Sequence, residues 1–459
     1  MWKKYFGDRK FYRMVLAIGV PIMIQNGITN FVNLLDNLMV GRLGIEQMSG
    51  VAIANQLLFI FSLCVFGATS GPGIFSSQFY GQKDHEGIRH CFRFKVLIVL
   101  AIAGISIAVF GLKSENLIRL YLQGDTTKGD PTLVLRCGRD YMTVMLFGLI
   151  PFGLTQAYSG TLREQNQTFV PMLAGIFAVV INLGLNWLLI FGNLGFPELG
   201  IRGAALATTV SRFVELAIVV IYTHCKHRAY PFIEGAYRSL YIPGKLFRDI
   251  LQKGMPLLLN EALWSAGMAV LGQRYSLRGI EVVGAQNISS TVFNLFNIVF
   301  MSFGTAISIV VGPILGRGEN EKAVDTARKM ITFSLMISIA VGGVLATMAP
   351  LFPKLYNVTP EVRDLAARLL IVTGCCCPIY GFVHASYFTI RSGGKTFITF
   401  LFDSAFSWLV VIPLATVLVR FTDLPIVPLY LCCQLVEIVK CVVALVLIQK
   451  RVWIRKLVG

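Results

Sequence analysis

Charged residues are scarce in this sequence: Asp, Glu, Lys and Arg make up 14% of its 459 residues, whereas soluble domains average about 25%. Long polar stretches are also missing, so no separate soluble domain is expected. Hydrophobic residues account for 55% of the chain. Apolar runs of about 20 residues or more recur along its length, and each can cross a bilayer core of roughly 30 Å. The sequence therefore predicts an all-α integral membrane protein.

Motifs for metal, redox or covalent chemistry are lacking as well. The ten cysteines form no CxxC pair and no Cys/His spacing typical of a metal site. Most of them lie inside apolar runs, where they are expected to pack as small apolar side chains. The sequence has no nucleophile motif and no pair of catalytic acids on one helix. These absences argue against a membrane-embedded enzyme, and no organic cofactor is expected.

The apolar runs predict twelve transmembrane helices. Their predicted ranges are 14–40, 48–75, 91–112, 134–160, 168–193, 202–224, 251–273, 283–314, 330–351, 364–390, 397–419 and 425–449. The first run is too long for a signal-peptide core and is interpreted as a retained helix. Alternate loops, beginning with the N-terminus, carry most of the Lys and Arg, which predicts that both termini are cytoplasmic in an inner or plasma membrane.

The net charge of +17 follows this loop distribution. We interpret it as a topology signal that also attracts anionic membrane lipid, and no nucleic-acid partner is expected.

The chain repeats itself at an offset of 235 residues. AIGVPIMIQN at residues 17–26 matches QKGMPLLLNE at 252–261, which aligns Pro21 with Pro256. We therefore predict an N-terminal six-helix bundle (1–224), a cytoplasmic linker (225–248) and a C-terminal six-helix bundle (249–459). Six helices per unit make the repeats parallel, an organisation common in transporters. A proline inside a helix removes a backbone hydrogen bond, and its recurrence favours a hinge at both positions.

The first helix carries a polar stripe in an otherwise apolar run. Six residues fall within one sector of this helix: Asn26, Thr29, Asn30, Asn33, Asp36 and Asn37. Lipid cannot form hydrogen bonds with these polar side chains, so the stripe must face another helix or a water-filled cavity. No Lys or Arg stands one turn from Asp36 on its own helix. An ionisable residue in this position indicates a functional site.

The fifth and sixth helices offer partners for Asp36. Asn182 and Asn186 are four residues apart and share a helix face, and Thr208 lies near the outer end of the next helix. One carboxylate with amide and hydroxyl oxygens suits a hard cation such as Na⁺. The same carboxylate could instead carry a proton. We predict a cation-coupling site at these four residues, with the ion left open.

Further ionisable residues lie within the predicted helices. Glu215 and Glu437 each have a basic residue three positions away, Arg212 and Lys440, so they are expected to form structural pairs. Asp403 is expected to be unpaired, and two roles are equally open for it: binding of a proton or cation, or hydrogen bonding to Ser404 and its neighbours. Glu261 has no basic residue one turn away. The candidate substrate cavity comprises Glu261, Asn33, Asn260, Trp264, His384, Tyr380 and Asp403. His384 is equally open to a simple hydrogen-bonded packing role.

Several segments in order resemble the multidrug and toxic compound extrusion (MATE) family. They are PxxxQN in the first helix, LDNLMVGRLG at its end, LREQNQTFVPM, NxxxNW in the fifth helix, and PELGIRGAALAT. The similarity covers essentially the whole chain. It implies a V-shaped pair of six-helix bundles that exports organic cations in exchange for Na⁺ or H⁺.

The resemblance also implies roles for individual residues. Asp36, Asn182, Asn186 and Thr208 look like the family's N-terminal cation site, and Glu261 looks like its acidic residue in the seventh helix. Two departures stand out. Some members have an aspartate at the position of Asn186, and some have one on the tenth helix where this chain has Tyr380. We hypothesise that Asp403 or His384 substitutes for the latter.

We predict a monomeric cation-coupled antiporter that exports small organic, cationic compounds by alternating access. The alternatives are a flippase for a lipid-linked saccharide, or an exporter of a specific metabolite, on the same two-bundle plan. Such a flippase is expected to have a strongly basic cavity, whereas the polar faces of this sequence are acidic and amide-rich. A channel is disfavoured because no segment resembles a selectivity filter.

Overall fold

The structure is a computed structural model that describes residues 5–122, 130–356 and 358–459, without the side chains of residues 32–34, 37, 38 and 280. Regular secondary structure in these residues is helical, and no β-strand occurs among them. The α-helices are α1 (Arg9–Gly41), α2 (Ile45–Gln82), α3 (His85–Tyr121), α4 (Pro131–Met145), α5 (Leu149–Glu164), α6 (Phe169–Phe191), α7 (Gly200–Cys225), α8 (Gly244–Ser276), α9 (Ile280–Gly316), α10 (Asn320–Met348), α11 (Pro360–Ser392), α12 (Thr396–Phe400), α13 (Ile412–Phe421), α14 (Ile426–Leu435) and α15 (Ile438–Gln449). The predicted all-α fold is confirmed.

In the described residues these helices form twelve segments, which correspond to the twelve predicted spans. Three segments consist of shorter pieces: α4 continues into α5, α12 into α13, and α14 into α15. Ten helices are long and apolar enough to cross a membrane. The α4–α5 segment falls outside this set because each of its two helices is short. Helix α8 falls outside because Asn260 and Glu261 interrupt its apolar sequence.

Side-chain caps and proline set where several helices begin. The Asp84 carboxylate accepts hydrogen bonds from the backbone N–H groups of Glu86 (3.1 Å) and Gly87 (2.9 Å) in the first turn of α3. The Thr359 side chain caps α11 in the same way, and Pro360 occupies the first helical position. Proline is tolerated there because that position has no intrahelical acceptor for an N–H group.

The chain forms two compact units. The C-unit comprises residues up to Met23, Ser77–Lys83 and Met255–Gly459, and the N-unit comprises Ile24–Ser76 and Asp84–Gly254. The chain therefore passes between units at four points, two of which lie within α1 and within α8, next to Pro21 and Pro256. These boundaries differ from the predicted bundle boundaries at residues 224 and 249, which follow from the sequence repeat alone. The division of the chain at those two residues stays a prediction.

Helices α2 and α9 approach each other closely at two points in the C-unit. A Cβ atom at Gly81 on α2 would collide with the carbonyl oxygen of Pro313 on α9, and one at Gly316 would collide with the carbonyl oxygen of Gln78. Gly316 and Pro313 lie 235 residues after Gly81 and Gln78, respectively. The two contacts are therefore related by the sequence repeat, and glycine allows the two backbones to meet at both.

A second repeat-related packing occurs once in each unit. In the N-unit, a Cβ at Gly71 would lie 2.6 Å from the Cα of Gly254 at the start of α8. In the C-unit, a Cβ at Gly19 on α1 would lie 3.9 Å from the Cβ of Ala306. Gly254 and Ala306 lie 235 residues after Gly19 and Gly71. Each unit therefore packs the first part of α1 or α8 against a helix of the other sequence repeat.

Gly316→Ala is expected to destabilise the protein by about 1–3 kcal/mol, as overpacking does, because the added methyl group would overlap the Gln78 carbonyl. The matched control is Gly343→Ala on α10, where a Cβ meets open space and helix propensity improves by up to about 1 kcal/mol. Thermal unfolding of detergent-purified variants, followed by size-exclusion chromatography, measures both. Equal stability of the two variants would contradict the packing argument.

Candidate functional site

The four residues predicted to form the cation site lie together in the N-unit. The Asn186 side-chain amide donates a hydrogen bond to the Asp36 carboxylate, with 2.5 Å between Nδ2 and Oδ1. The same nitrogen lies 3.2 Å from the Asn182 Oδ1 atom. Asn182 in turn donates to the Thr208 hydroxyl oxygen at 3.2 Å. The i, i+4 spacing of the two asparagines on α6 brings both amides to one face, between α1 and α7.

The oxygen atoms of this group are only partly satisfied. Asn182 and Asn186 are 3% and 0% exposed, respectively, and the Asn186 Oδ1 atom is buried without a hydrogen-bond partner among the described residues. A buried carbonyl oxygen without a partner is costly, and a cation bound beside the Asp36 carboxylate would satisfy it. The donor set of carboxylate, amide and hydroxyl oxygens thus fits a hard cation.

No ion pair within the described part of the chain includes Asp36. Arg212 on α7 acts on the Asp36 carboxylate electrostatically from farther away. The Arg212 guanidinium pairs instead with Glu215 at 3.3 Å and lies 5.0 Å from the Phe152 ring centroid. The expected Arg212–Glu215 pair is therefore formed. Among the described residues, the Asp36 carboxylate therefore has a hydrogen-bond donor but no basic side chain in contact with it.

Tyr141 is a neighbour of this group that sequence reasoning missed. Its ring on α4 is buried, and its hydroxyl interacts with Thr208 on α7 and with Asn55 on α2. A single tyrosine carries no periodic signal, so only the tertiary contacts identify it. Asn33, which we assigned to the substrate cavity, lies outside the residues whose side chains are described.

The predicted polar residues of the C-unit form a second cluster. The Asn260 side-chain amide on α8 donates to the Asp403 carboxylate at 2.9 Å. The Ser404 hydroxyl lies 2.8 Å from both the backbone oxygen and the side-chain oxygen of Asn260. These bonds fasten α8 to the π-helical segment Leu401–Ala405 that follows α12.

The expectation that Asp403 is unpaired is wrong. The Lys440 ammonium on α15 lies 3.9 Å from the Asp403 carboxylate and 2.9 Å from the Glu437 carboxylate. The Glu437–Lys440 pair was expected from its i, i+3 spacing. The contact with Asp403 joins two different helices, so it cannot be found from spacing along one helix.

Glu261 and Trp264 lie one turn apart on α8. Glu261 is half-buried, and Arg391 and Asp403 act on it electrostatically. Trp264 is 38% exposed. Their assignment to a substrate cavity stays a prediction.

His384 and Tyr380 lie one turn apart on α11. The His384 Nδ1 atom is 3.0 Å from the backbone oxygen of Tyr380. The Tyr380 hydroxyl donates a hydrogen bond to the side-chain oxygen of Gln434 on α14, and its ring packs against Phe293 with 5.3 Å between centroids. Both side chains are thus held by neighbours, and their role in substrate binding stays a prediction.

A buried charge pair in the N-unit was also missed. The Lys95 ammonium on α3 lies 2.5 Å and 2.7 Å from the two carboxylate oxygens of Glu164 on α5, and 3.1 Å from the Thr161 hydroxyl. Nearby, the Arg163 guanidinium donates to the Gln25 side-chain oxygen at 2.6 Å. Lys95 directly precedes the apolar run VLIVLAIAG. A lysine at the edge of an apolar run was the sequence signal that could have indicated this pair.

The comparison with protein families identifies the chain. The model of the MatE family matches residues 21–188 and 256–417. The chain belongs to the MatE family. The two matched ranges begin at Pro21 and at Pro256, so each sequence repeat carries one copy of the family's pattern. The expected family is therefore confirmed, and the protein is a multi-pass membrane transporter and not an enzyme.

Curated relatives of this MatE chain are similar over most of its length. A probable multidrug resistance protein NorM of Thermotoga maritima is 22% identical over 412 residues, which cover 89% of this chain and 86% of the relative. A probable multidrug resistance protein YoeA of Bacillus subtilis is 26% identical over 426 residues, which cover 90% and 88%, respectively.

Solved structures share the fold of this MatE chain. A crystal structure of MATE in the bent conformation superposes with a TM-score of 0.86 at 20% identity, covering 97% of this chain and 96% of that one. A MOP superfamily transporter from Pyrococcus furiosus superposes with a TM-score of 0.84 at 19% identity, covering 98% and 97%. For that transporter, a reversed polarity of the binding pocket suggests a different function.

Proposed function

We propose that this MatE transporter exports organic cations by antiport with a monovalent cation, either Na⁺ or H⁺, which binds at Asp36. The observation that carries the proposal is the Asp36 carboxylate, which has an asparagine donor and no ion-pair partner among the described residues. The unsatisfied Asn186 oxygen beside it adds a second ligand for a cation. The multidrug resistance names of the relatives support export of foreign compounds.

In the proposed cycle, a cation from outside binds Asp36 and favours the state that releases substrate outward. A bound ion can shift this equilibrium only if it binds the two states with different affinity. Pro21 and Pro256 are the proposed hinges, because they lie next to two of the four points where the chain passes from one unit to the other. We further propose a monomer in the plasma membrane with both termini in the cytoplasm, on the basis of the basic loops.

Ethidium accumulation in inside-out vesicles tests this function. Wild-type vesicles loaded with Na⁺, and separately vesicles with an acidic lumen, are given external ethidium, and its fluorescence is followed. Accumulation under one gradient and not the other supports antiport and identifies the coupling ion. Vesicles from cells without the protein are the control. If neither gradient moves the dye although the protein is folded, the proposal fails.

If neither gradient moves ethidium, a second function is favoured. The Pyrococcus furiosus transporter shows that this fold also occurs with a pocket of reversed polarity. Failure of cationic dyes would therefore favour an anionic substrate, such as a lipid-linked saccharide, or one specific metabolite. Competition of such compounds with one another in the same vesicles would separate these alternatives.

A further inference from the structure

Each unit contains one membrane aspartate that accepts a hydrogen bond from an asparagine amide. In the N-unit the pair is Asp36 with Asn186 at 2.5 Å, and in the C-unit it is Asp403 with Asn260 at 2.9 Å. The two carboxylates differ in one respect. Asp403 has an ammonium group 3.9 Å away, whereas Asp36 takes part in no ion pair among the residues that the structure describes.

The ammonium group belongs to Lys440, which is 4% exposed. Its Nζ atom lies between two carboxylates, 2.9 Å from Glu437 and 3.9 Å from Asp403. It also lies 5.0 Å from the ring centroid of Phe406, a distance at which an aromatic face attracts a cation. A buried ammonium is tolerated only with such partners. Lys440 therefore has the surroundings of a bound monovalent cation.

The helices around Lys440 are irregular at the residues that contact it. Asp403 lies in the π-helical segment Leu401–Ala405, and α14 is separated from α15 at Val436–Glu437. Interruptions of this kind inside membrane helices occur where the backbone lines a site or is satisfied by neighbours. They turn the Asp403 and Glu437 carboxylates toward one ammonium group.

We infer that the Lys440 ammonium is a tethered cation that occupies the C-unit carboxylates, so that only the Asp36 site exchanges a cation during transport. The inference rests on the proposed function and specifies its stoichiometry. One monovalent cation is exchanged for one monovalent organic cation, and the cycle moves no net charge. The covalent link prevents the C-unit cation from leaving.

Other titratable groups also surround this ammonium. Glu437 is on its own segment, Asp403 is on the segment that follows α12, and His384 on α11 interacts electrostatically with both Lys440 and Asp403. Glu261 on α8 interacts with Asp403. Removal of the Lys440 charge leaves one more carboxylate of this group uncompensated, and that carboxylate must bind a free cation or a proton.

Ethidium transport by purified protein in proteoliposomes tests the inference. The coupling-cation flux per ethidium is measured, and the response to a membrane potential imposed with K⁺ and valinomycin is recorded. Lys440→Gln removes the tethered charge, and Lys440→Arg retains it. Lys329→Gln is the matched control, because Lys329 on α10 also pairs with an acid one turn away, Asp325 at 2.6 Å, but lies outside the cluster.

We expect wild type, Lys440→Arg and Lys329→Gln to transport ethidium without a response to potential. For Lys440→Gln we expect a second exchanged cation, a response to potential, and a Hill coefficient for the cation that rises from about 1 toward about 2, the number of sites. Active Lys440→Gln that keeps the wild-type flux ratio would overturn the inference. So would a wild-type protein that exchanges two cations.

Cation binding to detergent-purified protein covers the case in which Lys440→Gln is inactive. Radiolabelled Na⁺ binding and proton uptake are measured for Asp36→Asn and for Asp36→Asn/Lys440→Gln. The inference requires that the double variant bind one cation more than the single variant, and equal binding would overturn it. Failure of the proposed function is distinguishable, because it would appear as unchanged transport and cation binding in the Asp36→Asn single variant.

Discussion

Asp36→Asn is expected to lower gradient-driven ethidium accumulation about 10- to 100-fold, close to the background of vesicles without the protein. The amide keeps the size of the carboxylate but removes the charge that attracts a cation. Loss of a charge-assisted contact costs roughly 1.5–3 kcal/mol, and each 1.4 kcal/mol is about tenfold in affinity. The measurement is the initial rate of ethidium uptake into inside-out vesicles, normalised to the amount of folded protein.

Asp364→Asn is the matched control for this substitution. Asp364 lies on α11, pairs with Arg368 at 2.9 Å and is 63% exposed, so its replacement should change transport little. A direct complement is Asn186→Asp, which adds a carboxylate beside Asp36 and is expected to increase cation affinity. Normal gradient-driven transport by Asp36→Asn would remove Asp36 from the coupling mechanism.

Lys95→Met is expected to destabilise the protein by about 3–5 kcal/mol, the typical effect of removing one partner from a buried ion pair. Lys95 is 1% exposed and its partner Glu164 is 15% exposed. Without the ammonium, the Glu164 carboxylate stays in the interior and keeps the weaker electrostatic attraction of Arg163. Thermal unfolding of the detergent-purified variant measures the loss.

Lys95→Met/Glu164→Leu is the control that separates charge from packing. When both partners become apolar, no uncompensated charge remains, so the double variant should regain most of the lost stability. Glu164→Leu alone leaves the Lys95 ammonium unpaired and should be as destabilised as Lys95→Met. If the two single effects simply add in the double variant, the pair has no coupling energy and the argument is wrong.

The predicted cation site was accessible to sequence reasoning because its members have simple spacing. Asn182 and Asn186 share a face through their i, i+4 spacing, and Asp36 stands out as a charge in an apolar helix. The contact between Asp36 and Asn186 follows from the need of both polar faces for a partner within the membrane. The role of these residues in ion coupling stays a prediction until flux is measured.

The C-unit cluster was only partly predictable. The Glu437–Lys440 pair follows from i, i+3 spacing within one chain segment. The Lys440–Asp403 contact does not, because a lysine side chain can reach a carboxylate on any neighbouring helix. The π-helical turn at Asp403 also has no sequence signature, since it depends on how the side chains of the neighbouring helices fit together.

The sequence by itself determined the membrane character, the twelve helical segments and the internal repeat, because hydropathy and repetition are local properties that can be counted along one chain. Only the tertiary structure decided that the start of α1 and residues 77–83 pack within the C-unit and that Lys440 lies beside Asp403. These arrangements depend on the meeting of distant segments: glycines permit close backbone contact, and buried charges take the partner that the surrounding helices bring within reach.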